Sequence, residues 1–407
     1  MARIPETRFD RRDFLIGSAG LIGAGAVVTT AADAGNAAPP QVQRYVPLGR
    51  TGMQISDISY GASRRQDPAA VRHAFDRGIN YFDTADGYRA GGSERAIGAA
   101  LHDVRDQVYI TTKTQASAST DRHQLMQGLE ASLRRLRTDY VDVFLNHAVN
   151  DVARLENEEW RAFTERAKAQ GKIRFRGMSG HAGRLVDCLG YALDHELVDV
   201  ILAAYNFGQD PGFIAGMTQR FDFVALQPDL PPLLERAHRE GVGVVVMKTL
   251  MGARLNDVTP YLRPGQAFEH AAFRWTLSNP NVDALIVSMN NPSQIDNYLR
   301  ASGSGAVTDA DLRLLERYVG FNGARHCQHG CDICHASCPA QVAISEVLRT
   351  RMYDVDYRDA ELARADYAAL ERDASPCLSC SGAPCAGACP NGIPIAEFTR
   401  DAATRLA

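Results

Sequence analysis

The chain carries two short apolar runs, Val108-Tyr-Ile-Thr-Thr112 and Val141-Asp-Val-Phe-Leu145, on either side of an amphipathic stretch, His123–Arg137. This order is typical of a strand, a helix and a second, parallel strand. The same alternation recurs between about residues 45 and 304. The predicted strands are Ile55–Tyr60, Tyr81–Asp83, Val108–Thr112, Val141–Leu145, Arg176–Met178, Val200–Tyr205, Val242–Met247 and Ala284–Ser288. Strands and helices that alternate in this way over about 260 residues predict a (β/α)8 TIM barrel.

A doubly wound sheet is the alternative architecture for this alternation. Its first strand usually leads into a G-x-G-x-x-G turn, but the corresponding turn here reads Tyr60-Gly-Ala-Ser-Arg-Arg. A single glycine at that turn favours the barrel. Before the first strand, the Thr51-Gly52 pair predicts the turn of a hairpin that closes the barrel bottom. The predicted helices include Pro68–Arg77, Ser93–His102, His123–Arg137, Asn157–Gln170 and Arg184–His195.

Composition excludes several classes of protein. Of the 407 residues, 45% are hydrophobic and 23% are charged, as in soluble proteins that form a core. A largely disordered chain, a collagen-like chain and a polytopic membrane protein are therefore excluded. The net charge of −4 gives no indication of a nucleic-acid partner. Only 4 of the 44 basic residues are lysines, which makes the position of each lysine informative.

Polar side chains follow three consecutive predicted strands. Asp83 and Tyr88 lie at the end of the second strand, Lys113 at the end of the third and His147 at the end of the fourth. A barrel brings these strand ends to one face, where its catalytic residues lie. Taken singly, they could be a loop cap, a loop aromatic, a solvated amine and a core histidine. Their combination favours a catalytic site.

The four residue types suit carbonyl chemistry. A tyrosine with a pKa of about 10 is a poor acid at neutral pH, and a nearby ammonium is expected to lower that pKa. A carboxylate would hold the ammonium in place, and a histidine could orient a carbonyl and stabilise its developing charge. Such a site would protonate a carbonyl oxygen while hydride arrives at carbon.

On these residues the chain resembles the aldo-keto reductases. The resemblance covers about 260 residues, the size of one barrel domain. It includes Leu48-Gly-Arg-Thr-Gly52, the Asp-Thr-Ala-x-x-Tyr stretch from Asp83 to Tyr88, Ser93-Glu94, Lys113, His147 and Tyr205-Asn206. It implies that Tyr88 is the general acid, that Lys113 and Asp83 tune it, and that His147 orients the substrate. The implied activity is reversible hydride transfer between NAD(P)H and an aldehyde or ketone, with a small carbonyl or alcohol as substrate.

The cofactor contacts of that family are kept only in part. Ser179 stands where the family has the serine of a Ser-Asn pair, and Lys248, if not solvated, could meet a cofactor phosphate. The other contacts are replaced, by Gly180, Leu202, Met247 and Gln294. These changes leave NAD versus NADP open. They also support an alternative function, in which the protein is an electron-transfer or binding module whose barrel no longer uses nicotinamide.

Eight of the nine cysteines lie in the last 81 residues, whereas Cys188 stands alone in a helical stretch. They form two groups, Cys327, Cys331, Cys334 and Cys338, then Cys377, Cys380, Cys385 and Cys389. Each group ends in C-x3-C-P, as in bacterial ferredoxins, with one residue inserted in the first group and two in the second. The pattern favours two [4Fe-4S] clusters. Zinc sites and disulfides remain the alternatives.

The segment that carries these cysteines predicts helices at Ala343–Arg351 and Asp359–Arg372. It resembles the helical two-cluster ferredoxin-like domain appended to one branch of the aldo-keto reductases. That resemblance implies that Cys338 and Cys389 each serve the other cluster, and that the clusters exchange electrons with a partner or stabilise the fold. The predicted domains are a barrel at 40–305 and an iron–sulfur domain at 306–407.

The N-terminal segment predicts an export signal. Arg11 and Arg12 precede an uncharged run from Phe14 to Ala32, and Ala32-Asp-Ala34 fits a cleavage site. The arginine pair resembles a twin-arginine (Tat) signal, which implies the Tat machinery as a partner and a periplasmic or other extracytoplasmic location. An ordinary secretory signal and an uncleaved anchor are the alternatives. Residues 1–34 are the predicted signal peptide.

Overall fold

A computed structural model describes residues 38–63, 67–210, 213, 227, 229–251, 258–259, 262–322, 327, 331–356 and 358–407. The predicted signal peptide lies outside the described residues. Within them, no helix combines the length and the apolar character that a membrane span requires.

The first described strands form a hairpin. Strand β1 (Tyr45–Pro47) pairs antiparallel with β2 (Gln54–Ser56), as the Thr51-Gly52 turn predicts. The side chains of Leu48 and Ile55 are fully buried and share a core with residues inside the barrel. The hairpin therefore covers the bottom of the barrel, the end opposite the predicted site.

Two predicted strands are wrong in their extent. Arg176–Met178 is only part of a longer strand, Ile173–Gly180. Ile55–Tyr60 is interrupted at Asp57, and the first barrel strand, β3, spans Ile58–Gly61. The Asp57 carboxylate accepts hydrogen bonds from the Ser302 hydroxyl at 2.7 Å and the Gly303 amide at 2.8 Å. These long-range contacts fix the break between hairpin and barrel, and nothing in the local sequence pattern reveals them.

Eight parallel strands form the closed barrel, in the order β10-β3-β4-β5-β6-β7-β8-β9. After β3 they are β4 (Tyr81–Asp83), β5 (Tyr109–Thr114), β6 (Val141–Asn146), β7 (Ile173–Gly180), β8 (Val200–Ala204), β9 (Gly243–Met247) and β10 (Ala284–Ser288). The predicted (β/α)8 TIM barrel is confirmed. The closure between β10 and β3 rules out the doubly wound alternative.

Helices surround the barrel. They are α1 (Pro68–Asp76), α2 (Gly92–Leu101), α3 (Arg122–Leu136), α4 (Glu158–Ala169), α5 (Leu185–Asp194), α6 (Leu230–Arg239), α7 (Phe268–Leu277) and α8 (Pro292–Leu299). Caps set their first residues: the Asp121 carboxylate accepts from the amides of His123 and Gln124 at the start of α3. Aromatic side chains such as Phe144 and Phe163 fill the layer between strands and helices.

Gly177 in β7 is expected to be essential to the barrel. A Cβ added there would lie 1.8 Å from the Val200 carbonyl oxygen on β8, whereas one added at Gly190 in α5 meets nothing within 4 Å. We therefore expect Gly177→Ala to lower the free energy of unfolding by about 3 kcal/mol, because the backbone of β8 cannot move away from the added methyl group. The control, Gly190→Ala, should raise it by about 1 kcal/mol. Urea unfolding followed by circular dichroism measures both, and equal shifts in the two variants would contradict the prediction.

Four helices follow the barrel: α9 (Asp309–Asn322), α10 (Ile344–Val355), α11 (Ala360–Ala368) and α12 (Ile395–Leu406). Thr308 caps α9, because its hydroxyl accepts from the Asp311 amide at 3.2 Å. Helix α9 packs on the barrel core through residues such as Tyr318. The other three helices share a second core. Helices α10 and α11 match the two predicted helices with shifted ends, whereas α12 was not predicted. We refer to residues 327–407 as the C-terminal segment.

Candidate active site

Asp83 and Lys113 form a buried ion pair at the mouth of the barrel. The Lys113 ammonium donates to Asp83 Oδ1 at 2.7 Å and to the Thr84 carbonyl oxygen at 2.6 Å. Only 1% of the Lys113 side chain and 3% of the Asp83 side chain are exposed. Burial raises the pKa of Asp83 and lowers the pKa of Lys113, while the attraction between the two opposes both shifts.

Tyr88 and His147 complete the predicted set. The Tyr88 hydroxyl lies 3.5 Å from His147 Nε2, and the two rings meet edge to face. The Lys113 ammonium lies 5.0 Å from the centre of the Tyr88 ring. The structure thus places in one cluster the four residues that the sequence assigned to three strand ends.

The expected lowering of the Tyr88 pKa is wrong for this structure. Burial raises the pKa of Tyr88 well above its usual value, and the Asp83 carboxylate adds to the rise. The Lys113 ammonium, which is paired with Asp83, does not overcome the effect of burial on the phenol. Tyr88 is therefore protonated at neutral pH, which is the form that can donate a proton.

His147 is neutral in this site. Burial lowers its pKa well below the usual value, and the positive charge of Lys113 lowers it further. His181, in the loop after β7, has its pKa lowered in the same direction by burial, by Lys248 and by Arg349. A neutral imidazole can donate or accept a hydrogen bond, which suits a group that orients a carbonyl or an alcohol.

The two half-buried histidines should make the protein acid-sensitive. His147 and His181 stay neutral when folded but bind a proton below about pH 6.5 when unfolded. The unfolded state then holds more protons, so the free energy of unfolding falls as pH drops below 6.5. We expect each histidine to contribute about 1.4 kcal/mol per pH unit. His181→Asn should reduce the slope measured by urea unfolding at pH 6.5 and 5.5, and an unchanged slope would contradict this assignment.

The C-terminal segment reaches the same mouth. Arg349 and Tyr353 of α10 and Asp366 of α11 lie close enough to Tyr88 for their charges to shift its pKa. Arg89, next to Tyr88, donates to Asp359 at 2.8 Å and to Glu361 at 2.7 Å. Sequence analysis missed all of these residues, because nothing in a helical pattern shows that the helix returns to a distant site.

The opposite side of the mouth carries polar groups that could hold a cofactor. The Ser179 hydroxyl accepts from the Ala148 amide at 2.9 Å. Thr249 Oγ1 and Asn290 Oδ1, just after β9 and β10, are buried without a hydrogen-bond partner among the described residues. The Lys248 ammonium acts on the pKa of His181 and has no carboxylate partner in the described part of the chain.

Gln294, which the sequence comparison places at the position of the family's phosphate-binding arginine, already forms two side-chain hydrogen bonds within this chain. Its side chain accepts from the Asn290 amide at 2.8 Å and donates to the Tyr298 hydroxyl at 2.9 Å. Leu202 is buried within β8. Unpartnered polar atoms and a cation therefore fit a nicotinamide dinucleotide, but through a contact set that differs from the usual one.

The cysteines of the C-terminal segment influence one another across the two groups defined by the sequence. Burial raises the pKa of Cys327 well above its usual range, and the thiols of Cys331, Cys334 and Cys389 add to the rise. Burial also raises the pKa of Cys385, with Cys377, Cys338 and Cys380 adding to it. Cys389 is thus close enough to Cys327, and Cys338 to Cys385, to shift these pKa values.

All nine cysteines are free thiols, so the structure contains none of the disulfides considered as an alternative. Among the described residues, no set of three or more histidine, cysteine, aspartate and glutamate side chains is arranged to bind a metal ion. Cys188 is fully buried in α5, where it packs as a small apolar residue. The cysteine-bearing loops also touch the barrel, because a Cβ at Gly183 would meet Asp332 at 2.3 Å.

The closed parallel barrel, with its polar cluster at the mouth, is the architecture of a class of TIM-barrel oxidoreductases. The chain belongs to the Aldo/keto reductase family, whose sequence profile matches residues 52–259. It is 26% identical over 295 residues to L-galactose dehydrogenase of Arabidopsis thaliana, covering 62% of this chain and 86% of that protein. It is 23% identical over 321 residues to L-glyceraldehyde 3-phosphate reductase of Escherichia coli O157:H7, covering 68% and 92%.

A solved structure gives the same fold. An aldo-keto reductase from Bacillus halodurans in its holo form aligns with a TM-score of 0.54 and 18% identity. The alignment covers 67% of this chain and 95% of that one. This alignment shows the barrel fold, whereas the profile match shows the family. Aldo-keto reductases as a family use NAD(P)H on small carbonyl compounds.

Proposed function

We propose that this protein transfers hydride reversibly between NAD(P)H and an aldehyde or ketone, with Tyr88 as the proton donor. The observation that carries the proposal is the cluster of Tyr88, His147 and the buried Lys113–Asp83 pair at one barrel mouth. The relatives named above, L-galactose dehydrogenase and L-glyceraldehyde 3-phosphate reductase, are consistent with a small hydroxylated substrate.

The proton step follows from the geometry. A carbonyl oxygen held between the Tyr88 hydroxyl and His147 Nε2 would receive the phenolic proton as the carbon accepts hydride. The bound dinucleotide supplies that hydride. The Lys113 ammonium, fixed by Asp83, stabilises the phenolate that remains. In the reverse direction the phenolate takes the alcohol proton, and the neutral His147 keeps the oxygen in place.

The groups that would hold the cofactor are Ser179, Lys248, Thr249 and Asn290. The Ser179 hydroxyl lies at the end of β7, where a carboxamide would need a hydrogen-bond partner. The Lys248 ammonium and the two unpartnered oxygens after β9 and β10 suit the phosphates and sugars of a dinucleotide. At position 294 the chain has glutamine and not the arginine that would bind a 2′-phosphate. The titrations below therefore include both NADPH and NADH.

A deuterium-transfer measurement tests this function. Anaerobically purified protein is titrated with NADPH and NADH, then incubated with either cofactor deuterated at its reactive carbon and a panel of small aldehydes. We expect saturable cofactor binding and one deuterium on the carbonyl carbon of the alcohol product. No binding of either cofactor at millimolar concentration would overturn the proposal.

That negative result would favour the alternative, an electron-transfer or binding module whose barrel no longer uses nicotinamide. The replaced contacts at Leu202, Met247 and Gln294 are the observations in its favour. Free nicotinamide cofactor is also scarce outside the cytoplasm, so an exported enzyme would have to carry its cofactor through export. The intact catalytic cluster opposes this alternative.

We also propose that the C-terminal segment is a two-cluster ferredoxin-like domain that holds two [4Fe-4S] clusters. The neighbouring thiols support one ligand set of Cys327, Cys331, Cys334 and Cys389 and another of Cys377, Cys380, Cys385 and Cys338. This exchange of the fourth cysteine matches the arrangement in two-cluster ferredoxins. The clusters would exchange electrons with a partner or stabilise the segment.

Iron and sulfide analysis of anaerobically prepared protein tests the clusters. We expect about eight iron and eight sulfide per chain, with the electron paramagnetic resonance of reduced cubanes. Cys389→Ser should remove about half of the iron and perturb the cluster of the first three cysteines. The control, Cys188→Ala, should leave iron unchanged. Stoichiometric zinc without sulfide would replace this proposal with a zinc domain.

Export by the Tat machinery to the periplasm or another extracytoplasmic compartment is proposed from the Arg11-Arg12 signal. Tat carries folded proteins, which suits a chain loaded with clusters and dinucleotide beforehand. Cell fractionation tests it. Lysine at both Arg11 and Arg12 should retain the protein in the cytoplasm, and export unaffected by that change would favour an ordinary secretory signal.

A further inference from the structure

The backbone that follows Tyr88 is strained. Arg89, Ala90 and Gly91 join Tyr88 to the start of α2, and all three have positive φ angles, of 55°, 49° and 78°. Glycine adopts this left-handed conformation freely, whereas arginine and alanine adopt it at a cost because they carry a Cβ. Two such residues in succession persist only where the surrounding structure holds them. We refer to residues 89–91 as the strained link.

The barrel holds one end of the strained link. Gly91 is buried, and a Cβ added there would lie 2.5 Å from Arg135 Cδ on α3. Arg135 is itself fixed, because its Nε donates to the fully buried Glu94 at 2.6 Å. The Ser93 amide in α2 donates to the Tyr88 carbonyl oxygen at 3.3 Å. Since this end is anchored, a change in the backbone angles of the link would displace Tyr88.

The C-terminal segment holds the other end of the link. Arg89 Nη2 donates to Asp359 Oδ2 at 2.8 Å, and Arg89 Nη1 donates to Glu361 Oε2 at 2.7 Å. Only 16% of the Arg89 side chain and 8% of the Asp359 side chain are exposed, against 78% of the Glu361 side chain. Solvent screens an exposed pair far more than a buried one. The pair with Asp359 is therefore the one that restrains Arg89.

Asp359 is firmly placed within the segment. Its Oδ1 accepts from the Leu362 amide at 3.2 Å as the cap of α11, and its own amide donates to the Tyr353 carbonyl oxygen of α10 at 2.9 Å. One carboxylate thus joins the junction of two helices to the residue that follows Tyr88. A glycine at position 89 would relieve the backbone strain but could not form this pair, which gives a physical reason for arginine there.

We infer that the C-terminal segment positions the general acid: the Arg89–Asp359 pair holds the strained link, and the link keeps the Tyr88 hydroxyl beside His147. Arg89 and Asp359 are positioning residues, because they act through the backbone of Tyr88. This inference rests on the proposed function, in which Tyr88 donates the proton. It gives the segment a role in the barrel reaction that involves no electron transfer.

Cleavage by trypsin tests the restraint without any turnover. Trypsin binds an arginine side chain in its specificity pocket, and Arg89 must leave its two carboxylates to enter that pocket. Asp359→Asn removes the charge but keeps a residue type that caps helices well. In the anaerobically prepared full-length protein, this substitution should speed cleavage between Arg89 and Ala90 about 10-fold, because the open form is more populated. Mass spectrometry follows the cut, and a rate equal to that of the wild type would overturn the inference.

Steady-state kinetics test the consequence for the reaction. With the aldehyde of the panel that is reduced fastest, Asp359→Asn and Arg89→Gln should each lower kcat about 10-fold, because the general acid is misplaced. KM should change less than about 2-fold, because the groups that bind substrate and cofactor are untouched. The double variant should lose no more than either single variant, since both break the same pair. An unchanged kcat, fully additive losses or a change in KM alone would contradict the positioning role.

Two control variants separate positioning from general stability. Asp401→Asn breaks a similar pair inside the segment, where Asp401 accepts from Arg351 Nε at 2.7 Å and 29% of its side chain is exposed. Glu361→Gln removes the exposed partner of Arg89. Both should keep kcat and the cleavage rate within about 2-fold of the wild type, and an effect in either equal to that of Asp359→Asn would reject the inference. Faster cleavage of Asp359→Asn without turnover in the wild type would uphold the restraint and reject the hydride-transfer function.

Discussion

Tyr88→Phe should abolish carbonyl-dependent oxidation of the cofactor, with kcat/KM lowered about 1000-fold, within the usual contribution of a general acid. The phenol is half-buried and its pKa is raised, so the proton it carries is available for donation at neutral pH. Phenylalanine keeps the edge-to-face contact with His147 and removes only the hydroxyl. Steady-state kinetics with the best aldehyde of the panel would measure the loss.

Tyr81→Phe is the matched control for this loss. Tyr81 is a buried tyrosine, whose hydroxyl accepts from the Thr111 hydroxyl at 2.6 Å, and it lies with the hairpin in the lower core. Its removal should cost about 1 kcal/mol of stability and leave kcat/KM nearly unchanged. A Tyr88→Phe variant that keeps more than about a tenth of the activity would assign the proton step to another group.

Lys113→Met should have the largest effect on stability. The substitution removes the partner of the Asp83 carboxylate, and only 3% of the Asp83 side chain is exposed to water. Breaking a buried ion pair on one side typically costs about 3–5 kcal/mol, and the tuning of Tyr88 is lost as well. Urea unfolding would measure the change, and the same preparation should show no carbonyl reduction.

Two further variants identify the cause of that loss. Asp83→Asn combined with Lys113→Met removes both charges and should recover more than half of the stability without recovering activity. Lys172→Met breaks an exposed pair with Glu130, whose side chains are 26% and 43% exposed, and should cost less than about 1 kcal/mol. If Lys113→Met costs no more than Lys172→Met, the buried pair is not a structural element of the mouth.

The C-terminal segment changes how this barrel is understood. In a bare barrel the catalytic mouth would be open to water on the side of Arg89 and His181. Here Asp359 and Glu361 close one side and Glu346 and Arg349 close the other. Contact with the segment reduces the exposure of these loops to water, which strengthens the electrostatic contacts within them. Burial raises the pKa of Tyr88 and lowers the pKa of His147.

The sequence by itself determined the barrel and the catalytic cluster. Strand and helix periodicity is local, and the rule that parallel strand ends share one face brings Asp83, Tyr88, Lys113 and His147 together without coordinates. The observed elements match these predictions to within a few residues except at Asp57. The chemistry of these residues could also be predicted, because lysine is rare in this chain and Lys113 follows a predicted strand.

Only the tertiary structure decided what surrounds that cluster. Arg349 and Glu346 belong to a helix that begins 197 residues after His147 along the chain, and no sequence periodicity indicates where that helix packs. The direction of the Tyr88 pKa shift could not be predicted either, because desolvation depends on what packs around a group in the fold and not on its neighbours in sequence. The neighbourhood of Cys389 with the first three cysteines was likewise set by folding, since sequence order places it last.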